Sequence, residues 1–181
     1  GMNTRSLIIG YLRNQQLVSS LDDIESIQID WDVSAAAIKV KGSSSNADVL
    51  TEKVTITSGC GQGTMFGNLI ADIEKFKLDF GLKIKQSVLL TIVDEVRRFS
   101  SIYKQAGSVH GCALFKGPKM LFYCEDVGRH NAVDAIAGKM WEHQLDGRDL
   151  VFYTTGRLTS EMVIKGAQMQ IPILLSRSGV T

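Results

Sequence analysis

Between Cys124 and Asp134 the chain reads Cys-Glu-Asp-Val-Gly-Arg-His-Asn-Ala-Val-Asp. Glu125, Asp126, Arg129, His130, Asn131 and Asp134 fall within this one stretch, a set that could bind a polar ligand or do acid–base work. The plainer reading makes Asp126 or Asn131 helix caps and Arg129 a solvated surface group. Six hydrogen-bonding side chains in ten residues are dense for caps alone, so the stretch reads as a site.

A second set follows at Thr154-Thr155-Gly156-Arg157, with Ser160, Glu161 and Lys165 behind it. Hydroxyls, a glycine and an arginine at a helix start suit phosphate. Lys165 lies one turn past Glu161, so an ordinary i,i+4 pair is the alternative there. The stretch is not a phosphate-binding loop of the GxxxxGK[ST] type, and Gly61-Gln62-Gly63 is not a dinucleotide fingerprint.

Cys60 is the sharpest single residue. Its neighbours Gly59 and Gly61 strip away side-chain cover, which suits an exposed thiol for nucleophilic or sulfur-carrying chemistry. The alternative is a small hydrophobe in a tight turn. Cys112 and Cys124 lie within apolar strand patterns and read as inert. His110 precedes Cys112 by two, which on a strand puts both on one face. The zinc-deaminase pattern of H-x-E with P-C-x-x-C is absent: Asn131-Ala132 follows His130. No metal ligand set is assigned and no zinc is expected.

These residues need elements to hold them. Lys119 to Tyr123 reads as a buried strand, while Val133, Ile136, Ala137, Met140 and Trp141 recur at helical spacing. The first polar set therefore sits where a strand ends and a helix begins, the usual ligand position in an open α/β sheet. Val109 to Phe115 forms a hairpin with 119–124 over Lys116-Gly117-Pro118. A strand at 149–153, a helix from Thr159 to Met169 and a strand after Pro172 complete an α/β layer in which parallel pairing is expected. Upstream, Ser87 to Tyr103 is an amphipathic helix stopped by Gly107, Asn68 to Phe80 a weaker one, and Glu52 to Thr57 a strand. Near the start, Leu7, Ile8, Tyr11 and Leu12 mark one face of a short helix. Ile24, Ile27 and Ile29 lead to a strand paired with 36–41. The loop 42–46 suggests a division into residues 1–50, a helix and hairpin, and residues 51–181, the α/β domain.

The chain has 181 residues, 44% of them hydrophobic, and a net charge of +1. That supports a core but no strong field for a nucleic acid polymer or an anionic membrane. No run approaches the roughly 18 apolar residues of a span. Three cysteines without a CxxC fit a reduced, cytoplasmic protein. The chain opens in a helical pattern and closes just past a strand, so a piece of something longer is expected.

Three blocks together resemble the formate dehydrogenase accessory proteins that act as sulfurtransferases. They are Ala106-Gly107-Ser108-Val109-His110 through Leu114, Glu125 through Asp134, and Thr155-Gly156-Arg157-Leu158-Thr159-Ser160-Glu161-Met162 through Lys165, followed by Ile171-Pro172 and Ser176. Cys60 stands where that family carries its sulfur-bearing cysteine. The resemblance implies a cytidine-deaminase-like, three-layer α/β domain with a small N-terminal α+β portion. It implies a sulfur carrier that takes persulfide sulfur from a cysteine desulfurase onto Cys60 and passes it to the Mo/W-bis(guanine dinucleotide) cofactor of formate dehydrogenase. Partners would then be the desulfurase, the formate dehydrogenase catalytic subunit and the cofactor, and a homodimer is admissible. His110, Glu125, Asp126, Gly128, Arg129, His130, Asn131, Asp134, Gly156, Arg157, Ser160, Glu161 and Lys165 would form the cofactor site. Three departures stand out: Gly63 replaces the second cysteine of a CxxC, Ala135 a lysine and Val180 a proline. The first keeps alive a second reading, a non-catalytic cofactor-binding chaperone.

Overall fold

The computed structural model describes residues 3–41, 81–99, 105 and 107–181. Cys60 with its glycine loop, the strand expected at 52–57, the helix expected at 68–80, the 42–46 loop and the division at residue 50 lie outside them.

Helix α1, Thr4–Asn14, comes first. Strands β1, Ile24–Asp30, and β2, Ala35–Val40, pair antiparallel as a two-stranded sheet. The amphipathic helix is α2, Gln86–Arg98. There follow β3, His110–Lys116, β4, Lys119–Asp126, helix α3, Arg129–Glu142, β5, Leu150–Thr154, helix α4, Ser160–Gln168, and β6, Ile173–Ser176.

The main sheet has the order β4-β3-β5-β6. Among the described strands of this sheet only β5 and β6 pair in parallel, whereas β3 is antiparallel to both β4 and β5. The parallel expectation is thus met at one edge alone. A hairpin as short as the one at Gly117, where φ is +56°, can only return the chain antiparallel. Because β3 lies between β4 and β5, those two run in the same direction, and α3 crosses from one to the other over β3.

Alternating side chains divide the core in two. On one face Cys112, Leu114 and Phe152 pack with Val133, Ile136 and Met140 of α3 and Met162 of α4. On the other face Ala113, Phe115, Val151 and Tyr153 pack with Ile92 and Val96 of α2. The result is a sheet between two helical layers. Each fully buried Ile92, Ile136 or Met140 contributes roughly 1.5–3 kcal/mol by leaving water.

Helix α1 lies antiparallel along α3 through small and polar residues. Ser6 Oγ donates to Glu142 Oε2 at 2.6 Å, and Asn14 Nδ2 donates to Asp134 Oδ1 at 2.7 Å. Between them Gly10 and Gly138 let the backbones touch. A Cβ on Gly10 would fall 1.7 Å from the Asp134 carbonyl oxygen, and one on Gly138 1.8 Å from that of Ser6. The face expected from Leu7, Ile8, Tyr11 and Leu12 is only partly the buried one: Ile9 and Leu12 are buried, while Leu7, Ile8 and Tyr11 are half-buried.

Candidate functional site

Strand β4 runs into α3 and β5 runs towards α4, so both polar sets lie at one edge of the sheet. The first residue of β3 joins them there, because the register sets His110 opposite Asp126 and Cys112 opposite both Cys124 and Thr154. Gly156 is the point of convergence. A Cβ there would meet Arg129 Cβ at 3.3 Å, His110 Nδ1 at 3.4 Å and Thr154 Oγ1 at 3.5 Å. Two sets about 30 residues apart in sequence thus share one site.

Local hydrogen bonds shape it. Asp126 Oδ1 accepts from Gly128 N at 2.8 Å and Asn131 Nδ2 at 3.0 Å, which bends the chain out of β4 and into α3. Asp126 and Asn131 therefore serve the junction itself. Glu125 Oε1 accepts from the Tyr123 hydroxyl at 3.3 Å. Thr154 Oγ1 accepts from Gly156 N at 3.0 Å, and Thr155 Oγ1 from Gly111 N at 2.9 Å, fastening the β5–α4 turn to β3. Arg157 and Ser160 are exposed.

The caps of α3 and α4 are Gly128 and Thr159, and among the described residues neither helix start receives a side-chain cap bond. Their first N–H groups, with the positive end of each helix, are left for another acceptor. Beside them Arg129 Nε is buried with no hydrogen-bond partner among the described residues. A permanent cation, open backbone donors and a glycine without a side chain are groups that could together receive an anion.

Beneath this surface runs a buried polar chain. Asp134, 1% exposed, accepts from Lys165 Nζ, 0% exposed, at 2.9 Å and from Asn14 on its other oxygen. Lys165 Nζ also lies 3.7 Å from Glu161 Oε1, and Glu161 Oε2 lies 3.1 Å from His130 Nε2 without the alignment of a hydrogen bond. Asp134 and Lys165 were expected among ligand-binding residues; their complete burial places them under the site instead. Burial and the cations of Lys165, Arg129 and His110 push the His130 pKa down to about 4. Its ring is neutral near pH 7, so its contact with Glu161 is not an ion pair. Burial raises the Glu161 carboxyl, against the opposing pull of Lys165 and Arg129, and likewise raises that of Asp134. Burial and Arg129 lower His110.

Sequence reasoning missed Asn14, and it offered the Thr154 and Thr155 hydroxyls to phosphate, whereas they accept from Gly156 N and Gly111 N. The signal for Asn14 was the spacing Ser6, Gly10, Asn14, which repeats in Asp134, Gly138, Glu142. Cys112 and Cys124 are buried, and burial pushes their thiols up to about 12 and about 11, in keeping with inert residues. Among the described residues no three of His, Cys, Asp and Glu gather closely enough to hold a metal ion. No helix among them is long and apolar enough to cross a membrane.

A family model described as the FdhD/NarQ family matches residues 1–181. Sulfur carrier protein FdhD of Wolinella succinogenes is 29% identical over 173 residues, covering 96% of this chain and 60% of that protein. Sulfur carrier protein FdhD of Bacillus pumilus is 28% identical over 178 residues, covering 98% of this chain and 68% of that protein. The chain therefore spans about 60–68% of the length of these relatives. The fold is similar to that in a crystal structure described as a "putative formate dehydrogenase accessory protein" from Desulfotalea psychrophila. The TM-score is 0.73 at 24% identity, over 99% of this chain and 66% of the other.

Proposed function

This chain belongs to the FdhD/NarQ family, and from that premise we propose that it is a sulfur carrier in the maturation of formate dehydrogenase. Relatives named as sulfur carriers support the general role. The observation that carries the ligand class is the buried Arg129 Nε, without a hydrogen-bond partner among the described residues, beside two helix starts that no described side chain caps. Those groups suit the phosphates of a guanine dinucleotide, the anionic part of the cofactor that would receive the sulfur. Arg157, exposed at the next turn, would meet the same anion from outside. The layering of helices on a four-stranded sheet suits a cytidine-deaminase-like ancestry in which a nucleotide site is kept and sulfur chemistry is added.

The carrier step uses Cys60. Its thiolate attacks the outer sulfur of the cysteine desulfurase persulfide. A sulfur–sulfur bond forms on Cys60 as the one on the desulfurase breaks, and the desulfurase cysteine leaves as thiolate. Delivery to the Mo/W-bis(guanine dinucleotide) cofactor, which is cargo here, breaks the sulfur–sulfur bond on Cys60: two electrons from a thiol reductant return Cys60 to its thiolate and release the terminal sulfur at the sulfide level. The formate dehydrogenase catalytic subunit receives the product.

The test is to incubate the protein with a cysteine desulfurase and cysteine and take an intact mass with and without reductant. A reducible gain of one sulfur atom, absent in Cys60→Ala, is the expected result. No gain, together with retained guanine nucleotide binding, would leave a non-catalytic chaperone for the cofactor, the reading that Gly63 in place of a second cysteine favours.

A further inference from the structure

The buried chain beneath the site carries one consequence for the anion above it. Glu161 is the carboxylate nearest to escaping its partners. Its Oε1 is buried without a hydrogen bond, 3.7 Å from Lys165 Nζ, and its Oε2 touches His130 without alignment. A buried carboxylate held so loosely gains free energy by reaching any better donor. Arg129 is the candidate donor: its Nε has no partner among the described residues, and after Lys165 it is the other cation acting on Glu161.

We infer that Lys165 is a positioning residue that keeps the anion site open: it retains the Glu161 carboxylate below the site and so prevents Glu161 from occupying Arg129. Lys165 is wholly buried and does not itself meet the anion. Asp134 and, behind it, Asn14 anchor the ammonium in place. The assignment of the anion as a guanine nucleotide rests on the function proposed above; the inference about Lys165 needs only an anion.

Lys165 and Arg129 are the cations acting on His130, joined by His110 when it is protonated, while Glu161 is the acid facing it. Losing Lys165 therefore raises the His130 pKa, a change that can be read without any ligand.

The experiment uses Lys165→Met. Because that variant leaves Asp134 charged and buried, it is paired with a second that combines Lys165→Met with Asp134→Asn, whose amide oxygen still accepts from Asn14. Sulfate, followed through the Arg129 Nε–H NMR signal, probes the anion site; GDP probes the nucleotide. In the folded paired variant, sulfate affinity should fall about tenfold. Adding Glu161→Gln, which removes the competing charge, should restore it to within about threefold of the wild type. The His130 titration should move up from about 4 by about one unit or more. Unchanged sulfate affinity in the folded paired variant, or no recovery with Glu161→Gln, would overturn the inference. If sulfate behaves as described but GDP binds no better than sulfate, the nucleotide reading fails and the role of Lys165 stands.

Discussion

Replacing Gly138 by alanine should loosen the whole underside of the site, although residue 138 touches no candidate ligand group. The added Cβ would lie 1.8 Å from the Ser6 carbonyl oxygen, where real Cβ atoms keep at least about 3.0 Å, so α1 must retreat by more than 1 Å. The obstacle is helix backbone, which cannot rotate aside as a side chain could. Such a retreat carries the 2.7 Å bond from Asn14 to Asp134 beyond hydrogen-bond range. Overpacking of this kind costs about 1–3 kcal/mol. Loss of a bond to a charged acceptor adds about 1.5–3 kcal/mol. The better helix propensity of alanine returns about 1 kcal/mol. The net loss is about 1.5–5 kcal/mol, a large part of the roughly 5–15 kcal/mol typical of a domain. Gly166→Ala is the control, because the atoms nearest its Cβ all belong to the flexible Leu174 side chain, Cδ1 at 2.8 Å, Cδ2 at 2.9 Å and Cγ at 3.3 Å. Urea unfolding measures both. Gly138→Ala should shift the midpoint far to lower urea with the slope unchanged, and Gly166→Ala should stay within about 1 kcal/mol of wild type. Equal midpoints for the two variants would refute the idea that backbone contact between α1 and α3 holds the site from below.

Three further outcomes follow from the structure. His130 takes its proton near 6.5 when unfolded but near 4 when folded, so between those values the unfolded chain binds more protons and the stability due to this group falls as pH drops. Asp134 and Glu161, raised by burial, act in the opposite sense. Comparing wild type with His130→Gln in urea at pH 7 and pH 5 isolates the histidine: wild type should lose stability relative to the variant, and an unchanged difference would contradict the shift. Iodoacetamide at neutral pH should leave Cys112 and Cys124 unmodified in the folded protein and label both in urea, as peptide mass spectrometry can show. Gly156→Val should weaken GDP binding about tenfold or more, because its branches would press on Arg129 Cβ and His110 Nδ1 where a bare Cβ already sits at 3.3–3.4 Å; calorimetric affinity equal to wild type would remove Gly156 from the site.

What could be read in the sequence was whatever local chemistry dictates. The 119–124 strand, its turn at Lys116-Gly117-Pro118 and the helix after Asn131 are written in apolar period and turn residues. They emerge as β3, β4 and α3 within a residue or two, apart from the two residues by which β4 and α3 extend into the polar stretch. The junction residues were legible for the same reason, since a strand end followed by polar side chains and a helix must face outward. Long-range partners were not legible. Lys165 lies i,i+4 from Glu161 and invited a surface pair, yet its closer partner is Asp134, 31 positions away. The Ser6, Gly10, Asn14 face of α1 is invisible to a hydrophobic count, because its packing is backbone against backbone. The place of β3 inside the sheet also needed the structure: no local pattern in β5 says that its neighbour is an antiparallel hairpin strand.

The Asp134–Lys165 pair invites a stability explanation, and energetics argue against it. Taking both charges out of water costs several kcal/mol per ion, which their 2.9 Å contact and the bond from Asn14 only repay. A neutral pair of similar shape would commonly hold the fold as well or better. A device that adds little to stability is better accounted for by what it positions. Its ammonium is the nearest described cation to Glu161, and Glu161 stands between it and His130 beneath the site. The separation of stability from anion affinity is therefore the informative comparison. The paired variant Asp134→Asn with Lys165→Met should keep a urea midpoint close to wild type while sulfate affinity falls. A variant that loses both together would return the pair to an ordinary structural role.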